Sequence, residues 1–149
     1  MATILVLNGP NLNLLGKREP SIYGINDLAS IIANLTKAAA AKSHQLQHFQ
    51  SNSEHELIDC IHKAKEQGIQ FILFNPAAFT HTSLALRDAL LACAIPFVEV
   101  HLSNPYGREE FRKQNYFSDI AGGLVAGFDS KSYDIALEAI LSKLESPTF

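Results

Sequence analysis

Cysteine is scarce in this chain: Cys60 and Cys93 are the only two in 149 residues. A chain long enough to bury a full core does not need a disulfide scaffold. Two well-separated thiols fit a reducing, cytoplasmic setting, where they act as inert core residues. Net positive charge is lacking too. Lys and Arg number 12 against 15 Asp and Glu, a formal charge of −3, which argues against a general nucleic-acid binder. Any anion site must then be built locally. No apolar run approaches the length of a membrane span. The opening MATILVLNGP has no basic segment, so no signal peptide is expected. The phosphate-cradling patterns GxGxxG and GxxxxGK[ST] are missing, as are HxH and HExxH, so neither a nucleotide loop nor a metal pair is written locally. Repeats, linkers and low-complexity segments are also missing.

What is present is alternation. Strands are expected at Thr3–Asn8, at Gln45–Gln50 (more weakly), at Gln70–Asn75, at FVEVHL and at Gly123–Phe128. Helical spacing fills the intervals. Leu28, Ile31, Ile32 and Leu35 follow a cap at Asn26 or Asp27. Leu57, Ile58, Ile61 and Ala64 follow the capping-box pattern SEHE, Ser53 to Glu56, and Gly68 ends that helix. Leu84, Ala85, Leu91 and Ala92 follow an opening at Thr80 or Thr82. The last helix starts at Ser130 or Ser132 and runs to about Leu144. Strand–helix alternation with short connections predicts one α/β domain over 1–149, a doubly wound five-stranded parallel sheet in the flavodoxin-like order. Ligands of such sheets bind beyond the carboxyl ends of the strands, so the residues that follow each strand carry the functional reading.

After the first strand comes NGPNLNLLGKREPSIYG, Asn8 to Gly24, with two prolines and three glycines. It is too long for an ordinary strand-to-helix connection, and such segments are usually functional or disordered. Asn8 and Asn11 can orient water or substrate hydroxyls, or merely suit turns. Arg18 lies near Tyr23. A tyrosine is a poor base at neutral pH, and lowering its pKa by ~2 units needs roughly 2.7 kcal/mol. One close, water-excluded guanidinium can supply that. The segment at about 16–24 therefore reads as a catalytic lid.

After the third strand, NPAAFTHTS places Asn75 at the strand end and His81 near a helix N-terminus, where an anion is favoured. After the fourth strand, Glu99 and His101 are two apart and share one side of the strand. A carboxylate beside an imidazole can fix its tautomer and raise its pKa, as a general acid requires. Glu99, His101 and His81 as metal ligands form a rival reading. Arg108 and Arg112 would share a face on one helical turn and, with Arg18, could hold a carboxylate. A solvated basic face paired with Glu109 and Glu110 is the alternative. His44, His48, His55 and His62 fall on polar faces and read as solvated.

NGPNLNLLGKREPSIYG, NPAAFTHTSLALRDAL and EVHLSNPYGREEFRKQNY closely resemble the type II 3-dehydroquinate dehydratases, in order and spacing, over essentially the whole chain. Ala77 stands where many members have glycine. The resemblance implies a flavodoxin-like fold and loss of water from 3-dehydroquinate to give 3-dehydroshikimate. That step belongs to shikimate synthesis and, in some organisms, quinate breakdown. The resemblance also implies no cofactor, metal or Schiff-base lysine. It makes Tyr23 the base that takes the proton next to the ketone, with Arg18 lowering its pKa. Asn11 would hold a water near the enolate oxygen. His101, oriented by Glu99, would protonate the leaving hydroxyl. Asn75, His81, Arg112 and the backbone of Leu102 and Ser103 match substrate contacts, and Arg108 a second lid arginine. Asp88 matches a residue that reaches a neighbouring subunit's site, in a homo-oligomer that is commonly a dodecamer of trimers. Rival classes are a flavin-binding or phosphoacceptor module, and metal-assisted hydrolysis at His81 and His101. The first two would need a phosphate loop or an acidic cluster after the first strand, and neither is there.

Overall fold

The computed structural model describes residues 1–17 and 26–146. Five strands form one all-parallel sheet in the order β2-β1-β3-β4-β5. They are β1 (Thr3–Asn8), β2 (Gln45–Gln50), β3 (Phe71–Asn75), β4 (Phe97–His101) and β5 (Gly123–Ala126). Four helices connect or follow them: α1 (Leu28–Ala41), α2 (Glu54–Glu66), α3 (Leu84–Cys93) and α4 (Lys131–Glu145). The strand order is the one expected for a flavodoxin-like sheet, with its switch point between β1 and β3.

Side-chain alternation explains the two cores. Ile4, Val6, Leu73, Val98 and Val100 face Ile31, Leu35, Leu137 and Ile140 of α1 and α4. Leu5, Leu7, Ile72, Phe74 and Phe97 face Leu57, Ile61, Leu86 and Leu90 of α2 and α3. The central strands are buried on both sides, and each fully buried aliphatic or aromatic side chain contributes about 1.5–3 kcal/mol. The strand QLQHFQ reads weakly because β2 is an edge strand and largely outside the core.

Helix starts partly follow the local signals. Asp27 caps α1 by accepting from the Ser30 amide at 2.8 Å. The capping box at Ser53 does not close. Glu56 instead accepts from the buried Ser51 hydroxyl at 2.6 Å, and the Ser53 amide donates to that same hydroxyl at 2.9 Å. Neither Thr80 nor Thr82 opens α3. A 3₁₀ turn occupies Ala77–His81, and Ser83 is the cap, accepting from Leu86 at 3.0 Å. The last helix follows Ser130 as expected, although that residue's side chain makes no capping bond. Among the described residues no helix is long and apolar enough to cross a membrane.

Candidate active site

The loops after β1, β3 and β4 meet in a cleft at the carboxyl edge of the sheet. It is lined by Asn11, Asn75, His81, His101, Arg108 and Arg112, and by Leu102 and Ser103. Residues as far apart in the chain as Asn11 and Arg112 converge there because each ends or follows one of three adjacent parallel strands. Asn11 has left-handed backbone (φ 68°), a conformation asparagine tolerates better than most residues. Its amide donates to Asn52 Oδ1 at 2.9 Å, which pins the loop to the end of β2.

Glu99 and His101 form the core of the site. Both point to the α2–α3 side of β4, two residues apart. Glu99 is fully buried, and its Oε2 lies 2.5 Å from His101 Nε2. Ser118 Oγ donates to Oε1 and Asn115 Nδ2 to Oε2, each at 2.7 Å. Burial pushes the Glu99 carboxyl up. Hydrogen bonding from His101, its positive charge, and the bonds from Ser118 and Asn115 outweigh that and hold it below the usual carboxylate range. An ionised carboxylate only accepts, so the shared proton belongs to His101 Nε2 and Nδ1 is the ring nitrogen not engaged with Glu99. Sequence reasoning missed Asn115 and Ser118. Asn115 is itself oriented, because its Oδ1 accepts from the Phe117 and Ser118 amides at 2.7 and 2.9 Å. An Asn-x-x-Ser turn is a faint signal for this, and nothing local names Glu99 as the group it serves.

His81 is positioned from outside the cleft. Its Nδ1 lies 2.7 Å from the Gln114 carbonyl, which can only accept, so Nε2 carries the lone pair. Burial lowers the His81 pKa. The hydrogen bond to Gln114 opposes that shift, and the positive charge of His101, Arg112 and Arg108 reinforces it. The cleft thus holds one imidazole fixed as an Nδ1–H tautomer and a second locked onto a carboxylate.

Arg108 and Arg112 do not share one helical turn. They fall in or beside two 3₁₀ turns, Pro105–Gly107 and Glu110–Lys113. Both nevertheless reach the cleft, with side chains only 18% and 20% exposed. Glu109 accepts from Arg112 Nε at 2.8 Å and lies 3.7 Å from Arg108 Nε, while Arg108 Nη1 donates to Ser103 Oγ at 3.2 Å. The paired-surface reading and the anion-site reading are thus both partly right: a rim carboxylate steadies two guanidinium groups that face inward.

Other expectations fare differently. Asn8 is fully buried beneath the cleft rather than in its wall. Asp88 is exposed on the outer side of α3, away from its own chain's cleft. Its neighbour Arg87 makes a two-pronged contact with Asp119 at 2.5 and 2.9 Å. His48, His55 and His62 are exposed as expected, although His48 also meets Asn8 at 3.1 Å, and His44 is half-buried and accepts from the Ala2 amide at 3.0 Å. Arg18 and Tyr23 lie outside the described residues. Among the described residues no three His, Cys, Asp or Glu side chains converge on a metal-sized position.

A flavodoxin-like sheet with a carboxylate–imidazole pair and two inward guanidinium groups at its carboxyl edge defines an α/β protein built for acid–base work on a small anion. The sequence model of one family, Dehydroquinase class II, matches residues 2–141. A 3-dehydroquinate dehydratase of Saccharophagus degradans is 62% identical over 146 residues, 98% of this chain and 100% of that protein. That of Hahella chejuensis is 60% identical over 144 residues, 97% of this chain and 98% of that one. The crystal structure of the type II dehydroquinase from Butyrivibrio crossotus superposes with a TM-score of 0.90 at 39% identity, covering 95% of this chain and 97% of that one. The chain belongs to the class II dehydroquinase family.

Proposed function

We propose that the protein is a hydro-lyase that dehydrates 3-dehydroquinate to 3-dehydroshikimate in the shikimate pathway, through an enolate-type intermediate. The observation that carries this is the family match across residues 2–141, on a chain whose buried Glu99–His101 pair opens into the cleft. Tyr23, with its pKa lowered by Arg18, removes the proton next to the ketone. The enolate needs preorganised dipoles, and a water held by Asn11 supplies one. His101, oriented by Glu99, protonates the leaving hydroxyl. An acid and a base in different settings divide the two proton transfers.

Arg112, Asn75, His81 and the backbone of Leu102 and Ser103 bind the substrate. The guanidinium planes suit its carboxylate and the neutral imidazole of His81 a hydroxyl. Residues 16–24 form the lid of a single catalytic domain, Arg108 is its second arginine, and no cofactor takes part. The enzyme works in the cytoplasm as a homo-oligomer, a dodecamer built from trimers, in which Asp88 reaches a neighbour's site. The test is an absorbance assay for the conjugated enone formed from 3-dehydroquinate, run before and after thorough chelation. Sustained product formation in both is expected. A folded, assembled protein that forms none would overturn the reading.

A further inference from the structure

Beneath the cleft, β1 and β3 are in register, with Asn8 beside Asn75. Both side chains turn to the α4 side, as Val6 and Leu73 do two residues earlier. Tyr133, in the first turn of α4, inserts its hydroxyl between them. All three residues are essentially buried. The donor inventory fixes the direction of every bond from one end. The Ala77 backbone N–H can only donate, so Asn75 Oδ1 accepts at 3.0 Å. Asn75 Nδ2 must then face Tyr133 and donate to its hydroxyl at 2.9 Å. The single phenolic proton goes to Asn8 Oδ1 at 2.5 Å. Asn8 Nδ2 is left facing His48 Nε2 at 3.1 Å, so that nitrogen carries no proton. One hydrogen remains on Asn75 Nδ2, and Asn75 lines the cleft.

We propose that Tyr133 is a positioning residue for Asn75, and that a one-way chain from the Ala77 amide through Asn75, Tyr133 and Asn8 to His48 fixes Asn75 as a donor to a ligand oxygen. The claim rests on the reading of Asn75 as a substrate contact. Without the phenol, both amides lose a buried partner, and Asn75 is held by Ala77 alone. Burial also pushes the Tyr133 phenol up, so its proton stays in place to serve the chain.

Tyr133→Phe keeps the ring in its seat and removes only the hydroxyl. It should lower kcat/KM about tenfold, the scale of leaving a buried donor unpaired, with most of the change in KM. In an Asn75→Ala background the same substitution should change kcat/KM by less than about twofold, because the two act as one unit. Long-range proton–nitrogen NMR of the intact protein should show His48 as the Nδ1–H tautomer, and Tyr133→Phe should release it to a mixture. Should Tyr133→Phe fail to fold, Asn8→Ala breaks the chain one link away and should raise KM less steeply, with the same dependence on Asn75. Unchanged kcat/KM in Tyr133→Phe, or an undiminished loss without Asn75, would overturn the positioning role. If Asn75→Ala alone leaves KM unchanged, the substrate-contact reading fails and takes the positioning role with it. A His48 with Nε2 protonated would instead refute the chain's direction while leaving that reading intact.

Discussion

His101 and Glu99 face each other from one strand, two residues apart, with ring nitrogen and carboxylate oxygen 2.5 Å from one another. The carboxylate is ionised in full burial because three side chains donate to it. Glu99→Gln keeps the shape and removes the charge that anchors the ring. We expect kcat to fall by about 10²–10⁴, the usual worth of a general acid, with a smaller change in KM. Ser118→Ala removes one of the supporting donors and should cost about 2–10-fold. Steady-state kinetics on 3-dehydroquinate decide it, and near-normal turnover in Glu99→Gln would remove the dyad from the mechanism.

The loops after β1 and β3 touch at Gly9, whose amide donates to the Asn75 carbonyl at 2.8 Å. A Cβ there would stand 2.4 Å from the Pro76 carbonyl oxygen, a contact no side chain sustains. Gly9→Ala should destabilise the fold by about 1–3 kcal/mol as the two loops part. Next to it, Ala77 sits at φ 53°, which explains why glycine suits this position. The left-handed conformation costs an alanine about 1–2 kcal/mol, partly offset by the greater chain entropy that glycine loses on folding. Ala77→Gly should therefore raise stability by about 0.5–1 kcal/mol in urea unfolding. A lower midpoint at unchanged slope would contradict this.

Acid should weaken the fold in two stages. His48 and His81 both have lowered pKa values, first of all through loss of hydration, although His48 keeps an exposed side chain on the edge strand. Below the unfolded value of 6.5 the unfolded chain binds protons that the folded chain refuses, so stability falls as pH drops through that value. Glu99 adds a later loss. Its folded pKa lies below the ordinary 4.5, so its contribution is present above 4.5 and disappears as pH falls through the folded value. Urea titrations between pH 8 and 4 should show the first decline starting near neutrality, and His48→Gln should flatten it. A first decline of wild-type slope in that variant would contradict the His48 share.

Leu84, Asp88 and Leu91 lie on one face of α3, and the two leucines are 56% and 52% exposed. Such apolar exposure beside a carboxylate suits an interface between chains. If Asp88 completes a neighbour's site, oligomers reassembled from inactive Asp88→Ala and inactive Tyr23→Phe chains will regain activity. Some of their sites then carry both intact residues. Verified mixed oligomers with no activity would count against Asp88 acting in trans.

The sequence by itself determined which segments become strands and helices. Periodicity, caps and breakers act within a turn or two, so Thr3–Asn8, Phe71–Asn75 and Phe97–His101 carry their own instructions. It also placed Asn75 and His101 at strand ends and Asn11, His81, Arg108 and Arg112 in the loops that follow, and a parallel sheet gathers strand ends along one edge. Tertiary structure decided whatever joins distant segments. Nothing near Tyr133 announces Asn8, 125 residues away, and only the adjacency of β1 and β3 beneath α4 brings them to 2.5 Å. Asn115 and Ser118 likewise read as turn residues until the chain folds them over the buried Glu99 carboxylate. The helical spacing of Arg108 and Arg112 misled because two 3₁₀ turns divide that stretch, and both reach the cleft through long side chains rather than through a shared helical face. Local signals report what a residue prefers among its neighbours. A buried polar group's partner is set by which strands lie side by side, and by the cost of leaving that group unpaired away from water.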